Sequence, residues 1–284
     1  MNFQNNTLQT SQSLNCNGTL LDLTIPKVMG ILNLTPNSFY DGGHFTNHNQ
    51  VLHQVEKMLQ EGATFIDIGA YSSKPNAEFV SEMDEINRLK PFLKHIIKEF
   101  PGILVSIDTF RSRVAQFAVE NGACMVNDIA AGTLDDKMFE TMAHLQVPYI
   151  MMHTRGTPQN MQNLTHYNHL IKEINEYFSE KISKAKQHGI TDIVIDPGFG
   201  FAKTLQQNYH LMQHLSLLNI HDLPILVGIS RKSMIYKLLE TTPTQALNGT
   251  TVLHTIALQK QAKILRVHDV KEAIECIKIV QCLT

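Results

Sequence analysis

Tryptophan is absent from this 284-residue chain, and aromatic residues make up only 7% of it. Cysteine is nearly as scarce. The four that occur, Cys16, Cys124, Cys276 and Cys282, form no C-x-x-C pair, and no histidines stand at zinc-finger spacing. That argues against a disulfide framework or a thiolate metal knuckle; they read as reduced, mostly buried thiols. An excess of either charge is also missing. The 24 Lys and Arg against 26 Asp and Glu give a formal net charge of −2 without a basic block. Neither nucleic acid nor an anionic membrane is therefore expected as the main partner, whereas a small anionic ligand held by a few placed cations remains open. No apolar run approaches the roughly 18–20 residues of a membrane span. No Lys or Arg precedes Lys27, so a signal peptide is not expected and a cytoplasmic protein is.

What the chain does have is 43% apolar residues arranged in a repeating rhythm. A single domain of this size buries roughly 75% of its unfolded surface, so no metal or disulfide is needed to hold its core. Residues 1–13 are Asn-, Gln-, Thr- and Ser-rich and read as a flexible N-terminus; residues 14–284 read as one domain. Leu14–Ile25, with Asn17-Gly18 between short apolar stretches, predicts a hairpin capping the bottom of the fold. Strands are then predicted from Val28, Phe65, Ile103, Met125, Tyr149, Ile193, Ile225 and Ile264, with helices between them. Val51, Leu52, Val55, Met58 and Leu59 mark one apolar helix stripe ending near Gly62. Met83, Ile86, Leu89, Phe92, Leu93 and Ile96 mark another, with Ser81 as N-cap and Pro91 as a predicted kink or break. Leu170, Ile174, Tyr177, Phe178, Ile182 and Ala185 mark a third, ending at Gly189. Eight βα units in succession predict a closed α/β architecture, a (β/α)8 TIM barrel.

Each predicted strand ends on polar chemistry. The first ends at Asn33; the second carries Asp67 and leads to the loop YSSKPN; the third ends at Asp108. The fourth presents Asn127 and Asp128, the fifth Met152 and His153, the sixth Asp196. The seventh ends in Ser230-Arg231-Lys232 and the eighth supplies Arg266, His268 and Asp269. Any one such Asp is an ordinary loop or helix cap. Eight in succession are expected to meet at the C-terminal mouth of a barrel. Carboxylates and amides together match an aminopyrimidine edge, and the cations of the last two strands sit where barrels commonly hold phosphate. The residues alone thus favour a flat nitrogen heterocycle bearing an anionic group. Met152 reads as pocket wall, His153 as a hydrogen-bonded strand-end histidine, Asp67 as an orienting group for the second strand or loop. Asp128 and Asp269 read as structural, and the other histidines as surface residues.

Seven strings, GILNLTPNSFYDGG, SIDTFR, VNDIAAG, MMHTRGTP, DPGFGFAKT, GISRKS and LRVHDV, resemble the dihydropteroate synthase family in order and spacing, over nearly the whole chain from about residue 14. The resemblance implies a (β/α)8 barrel, a homodimer, and condensation of 6-hydroxymethyl-7,8-dihydropterin diphosphate with 4-aminobenzoate. The products are 7,8-dihydropteroate and pyrophosphate, in folate biosynthesis, and sulfonamides compete at the aminobenzoate site. It further implies that Asn33 contacts a magnesium ion on the diphosphate and that Asp108, Asn127 and Asp196 hold the pterin. Lys232 would bond its carbonyl side, Arg266 would stack on its face, and Arg266 and His268 would bind diphosphate. Ser73 would lie among the substrate-binding residues, with Pro75, Phe201 and Ser233 on the aminobenzoate side.

The chain departs from the family pattern at three places. Lys74 stands where Arg is common, Asn76 where Gly is common, and Ala202 where Gly is frequent. Two other readings stay open: a pterin-binding methyltransferase barrel, which would have no use for the Ser-Arg-Lys and Arg-x-His cations together, and a non-catalytic pterin-binding paralogue.

Overall fold

The computed structural model describes residues 13–34, 48–71 and 80–283. Its first element is the expected hairpin, β1 (Ser13–Cys16) and β2 (Thr19–Asp22), paired antiparallel. Asn17 and Gly18 both take positive φ (51° and 80°), as a two-residue turn requires.

Eight parallel strands follow: β3 (Lys27–Asn33), β4 (Phe65–Gly69), β5 (Leu104–Asp108), β6 (Met125–Asp128), β7 (Tyr149–Met152), β8 (Ile193–Asp196), β9 (Leu226–Val227) and β10 (Ile264–Val267). Their order is β8-β7-β6-β5-β4-β3-β10-β9. A parallel bridge between Ile195 and Ile225 closes β8 onto β9, with Ile195 N donating to Pro224 O at 3.0 Å. The sheet is therefore a barrel, and each predicted strand start lies within one residue of the observed one.

Helices on the outside are α1 (His48–Gln60), α2 (Glu82–Glu99), α3 (Ser112–Glu120), α4 (Met138–Leu145), α5 (Leu170–Gln187), α6 (Leu205–Gln213), the single turn α7 (Ser233–Tyr236), α8 (Leu247–Gln259) and α9 (Val270–Gln281). Ser81 caps α2, accepting from Asp84 N at 3.1 Å. Contrary to expectation, α2 runs through Pro91 without a break. Met83 lies outside its buried face, at 53% exposure.

Strand alternation divides the core in two. Val28, Ile66, Val105 and Val126 face outward onto helix residues such as Val51, Val55, Leu89 and Ile174. Their neighbours Met29, Phe65, Met125, Ile150, Val194, Leu226 and Ile264 face inward and pack against Leu14, Cys16 and Leu23. The hairpin thus plugs the N-terminal end of the barrel with apolar side chains. Among the described residues no helix is long and apolar enough to cross a membrane.

Candidate active site

Counting in twos from that inward layer arrives at the site. Met29 leads to Asn33; Phe65 to Asp67 and Gly69; Leu104 to Ser106 and Asp108; Met125 to Asn127; Ile150 to Met152; Val194 to Asp196; Ile264 to Arg266 and His268. All these side chains share the barrel interior, and the upper ones reach its C-terminal mouth. Asp128 and Asp269 have the opposite parity. Asp128 accepts from Tyr149 OH (2.6 Å), Ala130 N (2.8 Å) and Gly132 N (2.7 Å), fixing the loop after β6. Asp269 pairs with Arg231.

The inward set forms one network. Arg266 donates through Nε to Asp67 Oδ2 at 2.6 Å and through a terminal nitrogen to Asp108 Oδ2 at 2.7 Å. Asn127 donates to the same Asp67 oxygen at 2.9 Å. Asp67 is therefore more than a strand-orienting group: fully buried, it holds both an amide and a guanidinium in place. Its parity with Phe65 is the sequence signal for this. Across the mouth, Gly228 leaves room that Arg266, Asp196 and Lys232 surround: a side chain there would meet Arg266 Cβ at 3.8 Å, Asp196 Oδ2 at 3.9 Å and Lys232 Nζ at 3.9 Å. At Gly69 it would meet Asp108 Oδ2 at 3.6 Å and Asn33 Oδ1 at 3.7 Å. Asn33, Asp108, Asn127, Asp196, Lys232 and Arg266 thus gather at one rim.

Burial sets the charge states. It pushes the Asp108 carboxyl up to about 7, against Arg266, which favours its ionised form, and with Asp67, which opposes it. Burial also raises Asp196, with Lys232 and the Gly198 amide pulling the other way. Lys232 is pushed down to about 8 by burial, opposed by the attraction of Asp196. Burial disfavours the charge on Arg266 too, but Asp67 and Asp108 outweigh it and bind the proton more firmly. The pocket alternates acids and bases whose charges depend on one another.

The remaining expected residues sit around this network. Phe201 lies with its ring centroid 4.8 Å from Lys232 Nζ, and Ser233 opens α7 next to Lys232. Ile129, Ala130 and Met152 form an apolar wall against Phe110, Leu134 and Phe201. His268 donates through its backbone N to Ser230 Oγ at 3.1 Å, and its Nδ1 lies 3.1 Å from the same oxygen. Arg231, expected among the phosphate-holding cations, is committed elsewhere: it donates twice to Asp269 (2.8 Å each) and to the carbonyls of Pro243 and Thr244. Ser73, Lys74, Pro75 and Asn76 lie outside the described residues. Lys203 passed unnoticed in the sequence. It is buried, and its Nζ lies 3.0 Å from His153 Nδ1. The DPGFGFAKT string contains it but nothing in its spacing marks a buried cation.

Among the described residues no three His, Cys, Asp or Glu cluster as a metal site. The donor set at the mouth is one amide oxygen, Asn33 Oδ1, near Asp108. Magnesium commonly keeps several waters and takes substrate phosphates with only one or two protein oxygens. These residues fit an ion carried in on a diphosphate, with Asn33 as its protein contact.

The profile of the pterin binding enzyme family matches residues 29–268. A dihydropteroate synthase of Synechocystis is 43% identical over 259 residues, 90% of this chain and 89% of the relative. That of Escherichia coli K12 is 40% identical over 269 residues, 93% and 94% respectively. The Yersinia pestis dihydropteroate synthase in a sulfonamide drug complex superimposes with a TM-score of 0.89 at 41% identity, covering 96% of this chain and 99% of that one. The Xanthomonas albilineans enzyme with 4-aminobenzoic acid gives a TM-score of 0.89 at 35% identity, covering 96% and 98%. The motifs, the closed barrel and the acid–amide–cation rim lead to the same place as these similarities: the chain belongs to the pterin-binding enzyme family, among its dihydropteroate synthases.

Proposed function

We propose that this rim condenses 6-hydroxymethyl-7,8-dihydropterin diphosphate with 4-aminobenzoate, giving 7,8-dihydropteroate and pyrophosphate, a transferase step of folate biosynthesis. The observation that carries the reading is the buried network running from Asn127 through Asp67 and Arg266 to Asp108, facing Asp196 and Lys232. An aminopyrimidine edge needs acceptors for its N–H groups and a donor for its carbonyl side. Asp196, Asn127 and Asp108 supply the first, with Asp196 at the floor; Lys232 supplies the second. Arg266, fixed by two carboxylates, offers its plane to the ring.

The bond that breaks is the C–O bond at the pterin methylene, its electron pair leaving with the diphosphate. The bond that forms joins that carbon to the aminobenzoate nitrogen, which then releases a proton. An electron-rich dihydropterin spreads positive charge from the methylene carbon, and the anionic forms of Asp108 and Asp196 favour that charge. Arg266 and His268, the latter oriented by Ser230, receive the diphosphate. Asn33 would hold a magnesium ion, which when bound would supply charge neutralisation at the leaving group. Phe201 and Ser233 line the aminobenzoate side, to which the family resemblance also assigns Pro75, with Ser73 among the substrate-binding residues. Orientation and charge stabilisation suffice, and no side chain acts as a nucleophile.

The sulfonamide and 4-aminobenzoic acid complexes of the Yersinia and Xanthomonas relatives support this choice of acceptor. A cytoplasmic homodimer is part of the same reading, with the exposed Leu238, Leu239, Val252 and Ile279 as candidates for the contact between copies. Pyrophosphate release measured with and without 4-aminobenzoate tests the reaction. Release is expected only with both substrates and magnesium. Release without the amine, or none with both, overturns it. Methyl transfer from methyltetrahydrofolate would establish the methyltransferase reading instead.

A further inference from the structure

The segment 197–204 after β8 is bound from every side. Gly198 N donates to Asp196 Oδ1 at 2.7 Å, and Gly200 N to Asn208 Oδ1 at 2.7 Å. Its carbonyls are also taken. Gly198 O and Phe201 O accept from Lys203 Nζ at 2.9 and 3.1 Å, Phe199 O from Lys232 Nζ at 2.6 Å, and Ala202 O from Tyr167 OH at 3.0 Å. The backbone lies directly on the neighbouring strand end. Gly198 has φ 70°, and a side chain there would stand 2.0 Å from His153 O. Three of the groups involved, Lys203, His153 and Asn208, are all but sealed from solvent, at 4, 2 and 3% exposure.

Burying a cation is costly unless its N–H groups all find acceptors. Lys203 has three: two carbonyls of its own loop and His153 Nδ1 on the next strand end. Burial drives His153 well below its ordinary value, so its ring is neutral and Nδ1 is free to accept. What the ammonium gathers is the loop that carries Phe201, whose ring covers Lys232, and Phe199, whose carbonyl tethers Lys232. Burial pushes the Lys203 amine down to about 7, against the attraction of Asp196, so the loop is built around a group that is costly to bury.

We propose that Lys203, held against His153, is a positioning residue for the aminobenzoate side of the site, fixing the 197–204 loop so that Phe201 keeps its place when the amine enters. The proposal rests on the synthase reading above. It predicts a specific split. Lys203→Met keeps length and packing but removes three bonds. It is expected to raise KM for 4-aminobenzoate by about tenfold or more, the loss of roughly one charge-assisted bond's worth of positioning. Affinity for a pterin lacking diphosphate, held by Asp108, Asn127, Asp196 and Lys232, none of which bonds Lys203, is expected to change by less than about threefold. Tyr167→Phe, which removes only the outer bond at Ala202 O on a partly buried side chain, is expected to shift the same KM in the same direction by a smaller factor.

The experiment is steady-state kinetics on the full-length chain, with calorimetric pterin binding alongside. Wild type that makes no dihydropteroate defeats the synthase reading and the inference with it. Active wild type with an unchanged aminobenzoate KM in Lys203→Met overturns the inference alone. So does an equal loss for both substrates, which marks a merely structural lysine. Should Lys203→Met fail to fold, Tyr167→Phe decides: an unchanged aminobenzoate KM overturns the proposal, and a raised one with intact pterin affinity supports it.

Discussion

Two side chains set the pH range in which this pocket holds a pterin. Asp108 must be ionised to accept from the ring, and its carboxyl is pushed up to about 7. Lys232 must be charged to donate, and its amine is pushed down to about 8. Affinity for a pterin lacking diphosphate is therefore expected to fall as pH drops through about 7 and again as it rises past about 8. Calorimetry across that range checks it. Lys232→Met is expected to bind more weakly and to lose the alkaline limb; an alkaline limb that survives the substitution refutes the assignment. A second residue-scale prediction concerns Ala202. This position, where the family pattern favours Gly, has φ 47°. An alanine there carries left-handed strain of about 1–2 kcal/mol, against a glycine entropy cost of about 0.5–1 kcal/mol. Ala202→Gly is expected to gain about 0.5 kcal/mol in denaturant unfolding, without moving either KM. A loss of stability contradicts it. The departure was visible in the sequence; only the backbone angle gives it a sign.

At the scale of elements, strand alternation carried most of what could be read in advance. The short apolar runs fixed where each strand starts, and the polar residue at each end pointed to the mouth. What the runs did not convey was which of two neighbouring acids faces inward. Asp67 and Asp128 look alike in FIDIGA and VNDIAAG, yet one holds Arg266 and the other a tyrosine in the outer layer. Parity from Phe65 and Met125 separates them, but only once the inward layer is known. The roles of Arg231 and Lys203 are hidden for a different reason: their partners, Asp269 and His153, are 38 and 50 residues away, and spacing carries no trace of such pairs. Local geometry predicts a kink or break at Pro91, whereas α2 is not split there and keeps a core face of Leu89, Phe92, Leu93 and Ile96. The hairpin is the element most separable from the chemistry. Leu14 is buried at 1% among the inward layer. Leu14→Ala is expected to cost about 3 kcal/mol in chemical denaturation, while KM for both substrates stays unchanged below the transition. Altered substrate affinity would mean that the plug also shapes the pocket.

For the whole molecule, stability against acid is the sum of opposing buried groups. His254, expected at the surface, is in fact buried at 2%, its Nε2 without a hydrogen-bond partner among the described residues, and burial lowers it from 6.5 to about 4. The unfolded chain binds this proton near 6.5 and the folded one only near 4, so between those values the unfolded state takes up more protons. Stability from this group is complete above 6.5 and declines as pH falls through that window, by at most about 1.4 kcal/mol per pH unit. Asp108, Asp128 and Asp196 are raised and act in the opposite direction, so only a difference isolates the histidine. His254→Gln is expected to show a shallower loss of unfolding free energy from 6.5 down to 4 than wild type. Parallel curves for the two proteins rule the effect out.

The stopper of Leu14, Cys16 and Leu23 has one more consequence. Among the described residues, apolar side chains fill the far end of the cylinder, so ligands are expected to reach the polar groups from the C-terminal mouth. Asp196, which accepts from Gly198 N, is buried, while Phe201, only half-buried, lies over Lys232. A pterin held at Asp196 is expected to bind before the amine that meets it near Phe201, and the two, joined by the reaction, leave as one product. Entry is then a queue, shaped by a hairpin at the opposite pole from the chemistry.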